Sequence, residues 1–167
     1  MSLVRPHVLW SSASNSPYKV SMATVQAQLL SGRYRLGNLT KHWVKHYDGH
    51  CLLSPECSQT LEDVPHFLQL CPDLSAVRRE LNSFTEQYSL KMIEFPAAAT
   101  LLLKLTCSKN PSFCQFLLDC STLPDVISIC QQSPGDILYH YFNVSRTWVY
   151  KLHRERLKRL QCSNATL

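Results

Sequence analysis

Three thiols and one imidazole fall close together in residues 51–72, CLLSPECSQTLEDVPHFLQLCP: Cys51, Cys57, His66 and Cys71. Four soft or borderline donors of this kind form a usual set for a structural, tetrahedral Zn²⁺ site. The local grammar agrees. Asp63 can cap a short helix, and Pro65 is tolerated because it falls in the first turn. His66 then lies on that helix, and Pro72 disfavours helical geometry at Cys71, turning the chain there. Ser54-Pro55 marks a turn that delivers Cys51 and Cys57 from the preceding loop. The competing reading is a set of buried, reduced cysteines beside a surface histidine. The H-x₄-C half suits a metal, whereas Cys51 and Cys57 stand further apart than the common C-x₂₋₄-C. If Cys57 is not a ligand, His50 is its substitute.

The cluster has company. LLSGRYRL at residues 29–36, the Cys/His segment with HFLQLCP, and Arg78 together resemble the zinc-binding region at the C-terminus of non-LTR (LINE-type) retrotransposon reverse transcriptase polyproteins. That pattern runs from a Leu-rich Gly-Arg-Tyr segment through C…C and an acidic pair to H-x₄-C-P and a following Arg. Leu61-Glu62-Asp63 stands where the acidic pair falls. FLLDCS at 116–121 and RTWVYKLHRERLKRL at 146–160 are similar to the tail of such polyproteins. The five-residue gap between Cys51 and Cys57 departs from the usual two. The resemblance implies a Zn²⁺ site, a reverse transcriptase domain outside this chain, and contact with template RNA or target DNA.

Charge is distributed in blocks. Residues 1–50 hold six Lys/Arg and one acid, residues 51–75 hold four acids and no Lys/Arg, and residues 146–167 hold six Lys/Arg and one acid. Basic ends around an acidic centre make a candidate phosphate-binding surface, although a charge run also serves simply as a solvated face. The residues that would grip RNA or single-stranded DNA are Arg33, Arg35, Lys41, Lys45, Arg154, Arg156, Lys158 and Arg159. Such contacts give salt-dependent affinity without reading sequence. Tyr34 and Trp43 could stack on bases, but both also suit a core. His42, His46 and His50 recur every fourth residue with no acid among them, which favours exposed or phosphate-contacting histidines over a second metal site.

The expected fold is all-α, a small helical domain built round the Cys₃His site and ending in a long basic helix. Residues 1–18, rich in Ser and Pro, read as flexible, with Trp10 docking elsewhere. Residues 19–90 form the zinc-binding module, with a helix stopped by Gly32, a second over 36–47, and a third capped by Asp73 and running to about 89. Short apolar helices occupy 91–134. The long helix fills 135–161, its stripe including Trp148 packed on the 73–89 or the 97–105 helix. Residues 162–167 read as a disordered tail. Only four glycines argue against a turn-rich β fold.

Arg5, Pro6 and His7 interrupt any apolar leader, so an intracellular, non-secreted chain with reduced cysteines is expected. No apolar run approaches the about 18 residues of a membrane span. No phosphate loop, nucleophile elbow or polymerase Tyr-x-Asp-Asp occurs, so no enzymatic activity is expected. Two functions remain: a non-catalytic, zinc-stabilised nucleic-acid-binding tail of a reverse transcriptase, or a structural module packing on the polymerase without binding nucleic acid. A disulfide-linked secreted protein ranks behind both.

Overall fold

The computed structural model describes residues 8–13, 16–37, 48–53, 55–132 and 136–164. Seven α-helices stand among them: α1 (Val8–Ser11), α2 (Pro17–Leu30), α3 (Ser75–Leu90), α4 (Pro96–Leu105), α5 (Phe113–Asp119), α6 (Pro124–Gln132) and α7 (Ile137–Asn164). The described residues contain no β-strand, only an isolated antiparallel bridge between His50 and Leu61. The fold is all-α, and it ends in the long helix that the sequence predicts.

Local chemistry sets the helix limits. Ser16 caps α2, accepting from the Lys19 amide, and Pro17 takes the first helical position, where its missing N–H costs nothing. At the other end Gly32 adopts φ +66°. The Gly32 amide bonds Leu29 O at 3.2 Å and the Arg33 amide bonds Gln28 O at 2.8 Å, a Schellman closure that needs a left-handed residue. The chain then turns back, so that residues 33–37 lie along α7.

Helix α7 organises the core, packing against α2, α3 and α5. Trp148 is buried, its ring edge-on to Phe113 at 5.4 Å. Its Nε1 donates to Thr85 Oγ1 on α3 at 2.9 Å, so the indole buries a large apolar surface without orphaning its N–H. Tyr141 likewise sends its hydroxyl to Ala98 O on α4 at 2.8 Å. The buried Gln26 of α2 donates to Leu117 O at 2.5 Å and Ser145 Oγ at 3.2 Å. Each fully buried large apolar side chain contributes about 1.5–3 kcal/mol, and these polar tips fix which partners meet.

Several boundaries differ from expectation. Within the segment expected to be flexible, Val8–Ser11 is a helical turn with Leu9 buried, and α2 already begins at Pro17. Trp10 is 41 % exposed. Asp73 does not cap α3. A 3₁₀ turn over Pro72–Leu74 leads into that helix, and the Asp73 carboxylate turns to Arg159 instead, at 3.2 Å. Helix α7 continues to Asn164, three residues beyond the expected end. The helix expected over 36–47 lies almost wholly outside the described residues. No single helix among the described residues is long and apolar enough to cross a membrane.

Candidate metal centre

Among the described residues between α2 and α3, short turns over 49–74 aim four side chains at one point. The Cys51 amide bonds Thr60 O at 2.9 Å and the Glu62 amide bonds Gly49 O at 3.0 Å, which closes residues 49–62 into a ribbon-like loop. A 3₁₀ turn over Pro55–Cys57 swings Cys57 back under Cys51. Asp63 Oδ1 accepts the His66 amide at 2.8 Å, the capping contact that the sequence predicts. The helical turn that follows is a π-turn over His66–Leu70, in which the Cys71 amide reaches His66 O at 2.7 Å. Extra residues in a turn are typical of sites where a side chain is re-aimed. Pro72 then ends the turn, and Cys71 adopts φ −56°, ψ 117°.

The result is a Cys₃His cluster: Cys51, Cys57, His66 and Cys71, all buried, with ligand atoms within 4.8 Å of one another. Cys71 is its hub, its sulfur 4.0 Å from that of Cys51 and 3.9 Å from that of Cys57. The Nε2 of His66 is buried and meets no hydrogen-bond partner. Most buried polar atoms have a hydrogen-bond partner, and an imidazole nitrogen without one beside three thiols is a donor set that a metal ion fits. The backbone supports the sulfurs. The Leu53 amide donates to Cys51 and the Asp73 amide to Cys71, so each receives an N–H from two residues on.

Proton affinities follow from the crowding. The hydrogen bond between the Cys51 and Cys71 thiols lowers the pKa of Cys71, and His66 and the Asp73 amide act in the same direction. The Cys51 thiol itself is raised, first by that hydrogen bond and then by burial. Burial, followed by the charge of Cys71, raises Cys57 to about 11. The packing pushes the three thiols apart in proton affinity, and a bound cation would favour the thiolate at each of them.

Two further residues anchor the centre. Arg78 on α3 donates through Nη2 to the carbonyl of Cys71, which ties the last sulfur ligand to the helix after it. Glu62, in the loop between Cys57 and His66, is 2 % exposed. It forms a bidentate ion pair with Arg156, Nε–Oε1 2.6 Å and Nη2–Oε2 2.7 Å. Its Oε2 also accepts the Gly37 amide at 2.8 Å.

The structure therefore alters the basic set. Arg156 is not a surface cation: it is 8 % exposed, its guanidinium lies 5.7 Å from the centre of the Tyr34 ring, and Nη2 also donates to Arg35 O at 3.1 Å. The Glu62 carboxylate beside it offsets the cost of burying that charge. Arg159 is half-buried and paired with Asp73 and Glu155. Arg33, Arg35, Arg154 and Lys158 are exposed, and Lys41 and Lys45 lie outside the described residues. Tyr34 is buried and stacked on Phe67 with centroids 5.4 Å apart, so it is a core residue rather than a base platform. His50 stays out of the cluster and pairs with Asp48 at 2.7 Å, while His42, Trp43 and His46 are outside the described residues. All eight cysteines are free. Of those beyond the cluster only Cys120 is buried, whereas Cys107 and Cys162 are exposed.

The missed residue is Glu62. Its signal was faint: one of four acids in a stretch without Lys or Arg, matched to a single arginine late in the chain. No protein family, curated protein or solved structure matches this chain.

Proposed function

We propose that the chain is a non-catalytic, zinc-braced nucleic-acid-contacting module, the tail of an intracellular LINE-type reverse transcriptase. Zinc is favoured over other ions by the donor set and the spacing. A tetrahedral ion about 2.3 Å from each sulfur places sulfurs about 3.8 Å apart, against the 3.9 and 4.0 Å separations from Cys71. Four protein donors leave no open position, so the ion's role is structural. Purified full-length protein is expected to hold one zinc per chain. Bound zinc should fall as pH is lowered, because protons compete for three thiolates and an imidazole. Protein without stoichiometric zinc would rule the centre out.

The observation that carries the nucleic-acid reading is the union of the two basic ends. Tyr34 OH meets His153 Nδ1 at 2.7 Å, and Arg156 binds Arg35 O. The Arg33–Arg35 loop therefore adjoins the basic part of α7, where Lys151, Arg154 and Lys158 line an open cleft of about 700 Å³. Affinity for single-stranded RNA or DNA should be weak and largely independent of sequence. Replacing Lys151, Arg154 and Lys158 by Ala removes up to three phosphate contacts, each contributing about 0.7 to the slope of log K against log salt. The expected result is a slope shallower by about 2 with zinc content and helicity intact. Equal slopes in the parent and the triple variant would reject this interface.

The second reading, a module that packs on the polymerase, draws on Leu90 and Ile93 at the α3–α4 corner, 76 % and 81 % exposed. Neighbouring bare aliphatic side chains suit a protein contact, and no nucleic-acid binding by the full chain even at low salt would favour it.

A further inference from the structure

Tyr34, Tyr88, Tyr139 and Tyr141 each have a hydroxyl partner inside the protein: His153 Nδ1, His140 Nδ1, Lys19 Nζ and Ala98 O. Tyr150 on α7 differs. Its side chain is half-buried, yet among the described residues its hydroxyl meets no partner and is not sealed from solvent. Tyr150 lines the open cleft of about 700 Å³ between α3 and α7, with Lys151, Arg154 and Lys158 beside it. The ring is held from two sides. Tyr18 of α2 stands edge-on to it, centroids 5.4 Å apart at 88°, and His153 lies 6.0 Å away at 37°. His153 bonds the Tyr34 hydroxyl, and Tyr34 stacks on Phe67 in the turn that carries His66. A row of rings thus runs from the metal turn out to Tyr150 at the surface. The cleft is not purely basic. Glu80 and Glu155 also line it, so three cations opposed by two acids exert only a modest pull on phosphate.

We propose that Tyr150 stacks on an unpaired base, which makes the cleft a site for single-stranded nucleic acid and not for duplex. This rests on the nucleic-acid reading above and deepens it. The cations set how affinity depends on salt, and the ring supplies the part that salt does not screen. In a duplex each base is covered on both faces by its neighbours, so the ring meets only a base that is free of a stack. Every base has such a face, so the contact is tolerant of sequence. A ring already fixed by Tyr18 and His153 gives up little freedom on binding. Tyr34, the other tyrosine with a basic setting, is closed off in the core and leaves this role to Tyr150.

The test is a salt series on the full chain with an oligouridylate and an oligothymidylate of about ten residues, within the span of one such site, and with the duplex of oligouridylate and oligoadenylate. Tyr150→Leu keeps apolar bulk between Tyr18 and His153 and removes the ring. It should bind both single strands about fivefold or more weakly at every salt concentration, the scale of one lost base stack, with the slope of log K against log salt unchanged. Tyr150→Phe should bind as the parent does, and duplex affinity should be equal in parent and Tyr150→Leu. Irradiating the parent with a 5-iodouridine strand should give an adduct at Tyr150, a readout that does not depend on how well any variant folds. Adducts only at other residues would overturn the proposal. So would parental affinity for single strands in a normally melting Tyr150→Leu protein. If the Lys151, Arg154 and Lys158 triple variant still shallows the slope in that case, the phosphate interface stands and only the stack falls. No binding of any strand by the parent at low salt would remove the interface and the stack together.

Discussion

Cys71→Ser is expected to abolish zinc binding and unfold residues 48–75. Three separate links meet at this residue. Its sulfur lies within 4.0 Å of both others, its amide closes the π-turn onto His66, and its carbonyl holds Arg78. Serine leaves the two backbone links possible and removes the thiolate, so the variant isolates the metal's share. Structural zinc is worth about 10–16 kcal/mol apparent in small finger peptides, as large as the about 5–15 kcal/mol that holds a whole domain. Among the described residues 48–53 and 55–74 only short 3₁₀ and π-turns occur, so the segment has little regular backbone to hold it without the metal. Amide exchange should show residues 48–75 losing protection while the α5–α7 core retains it. Cys114→Ser, at a half-buried thiol outside the cluster, should keep one zinc per chain. A Cys71→Ser protein that holds stoichiometric zinc and keeps protected loop amides would contradict the centre as assigned.

The parts of this centre differ in how far the chain announces them. His66 and Cys71 are adjacent in sequence terms, and their convergence follows from a cap at Asp63 and a stop at Pro72. Cys57 is harder to place. A five-residue gap matches no common ligand spacing, and only the 3₁₀ turn at Pro55–Cys57 brings it back to Cys71. The π register is invisible to periodicity, since it comes from one added residue in a single turn. Arg156 was misplaced for a deeper reason. Helical charge patterning sees neighbours three and four residues away, and its partner Glu62 is 94 residues distant. By contrast, α3 was readable from its apolar stripe; in α2 apolar residues stand on both the buried side (Met22, Val25, Leu29) and the exposed side (Tyr18, Val20, Leu30), and Gly32 ends α2 through a backbone angle that most side chains resist.

Glu62→Ala is expected to lower the melting temperature by about 6–20 °C, from a cost of about 3–5 kcal/mol at about 2–4 °C per kcal/mol for a chain of this size. The loss is large because truncation strands two donors at once. Arg156 keeps its buried charge with only Arg35 O and Tyr34 to meet it, and the Gly37 amide loses its acceptor. Arg156→Met should cost less, since the methionine fills the same space beside Tyr34 and the carboxylate still accepts from Gly37. The double variant Glu62→Leu/Arg156→Met should be more stable than Glu62→Ala, because no buried charge is left alone. The pair also joins the metal loop to α7, so Glu62→Ala should weaken zinc binding although Glu62 touches no ligand atom. Zinc affinity in the double variant separates the two roles. If the link matters only as a charge pair, affinity recovers with stability; if the hydrogen bonds themselves position the loop, stability recovers and zinc affinity does not. An unchanged melting temperature in Glu62→Ala would mean that the ion pair does not hold α7 to the metal loop in solution.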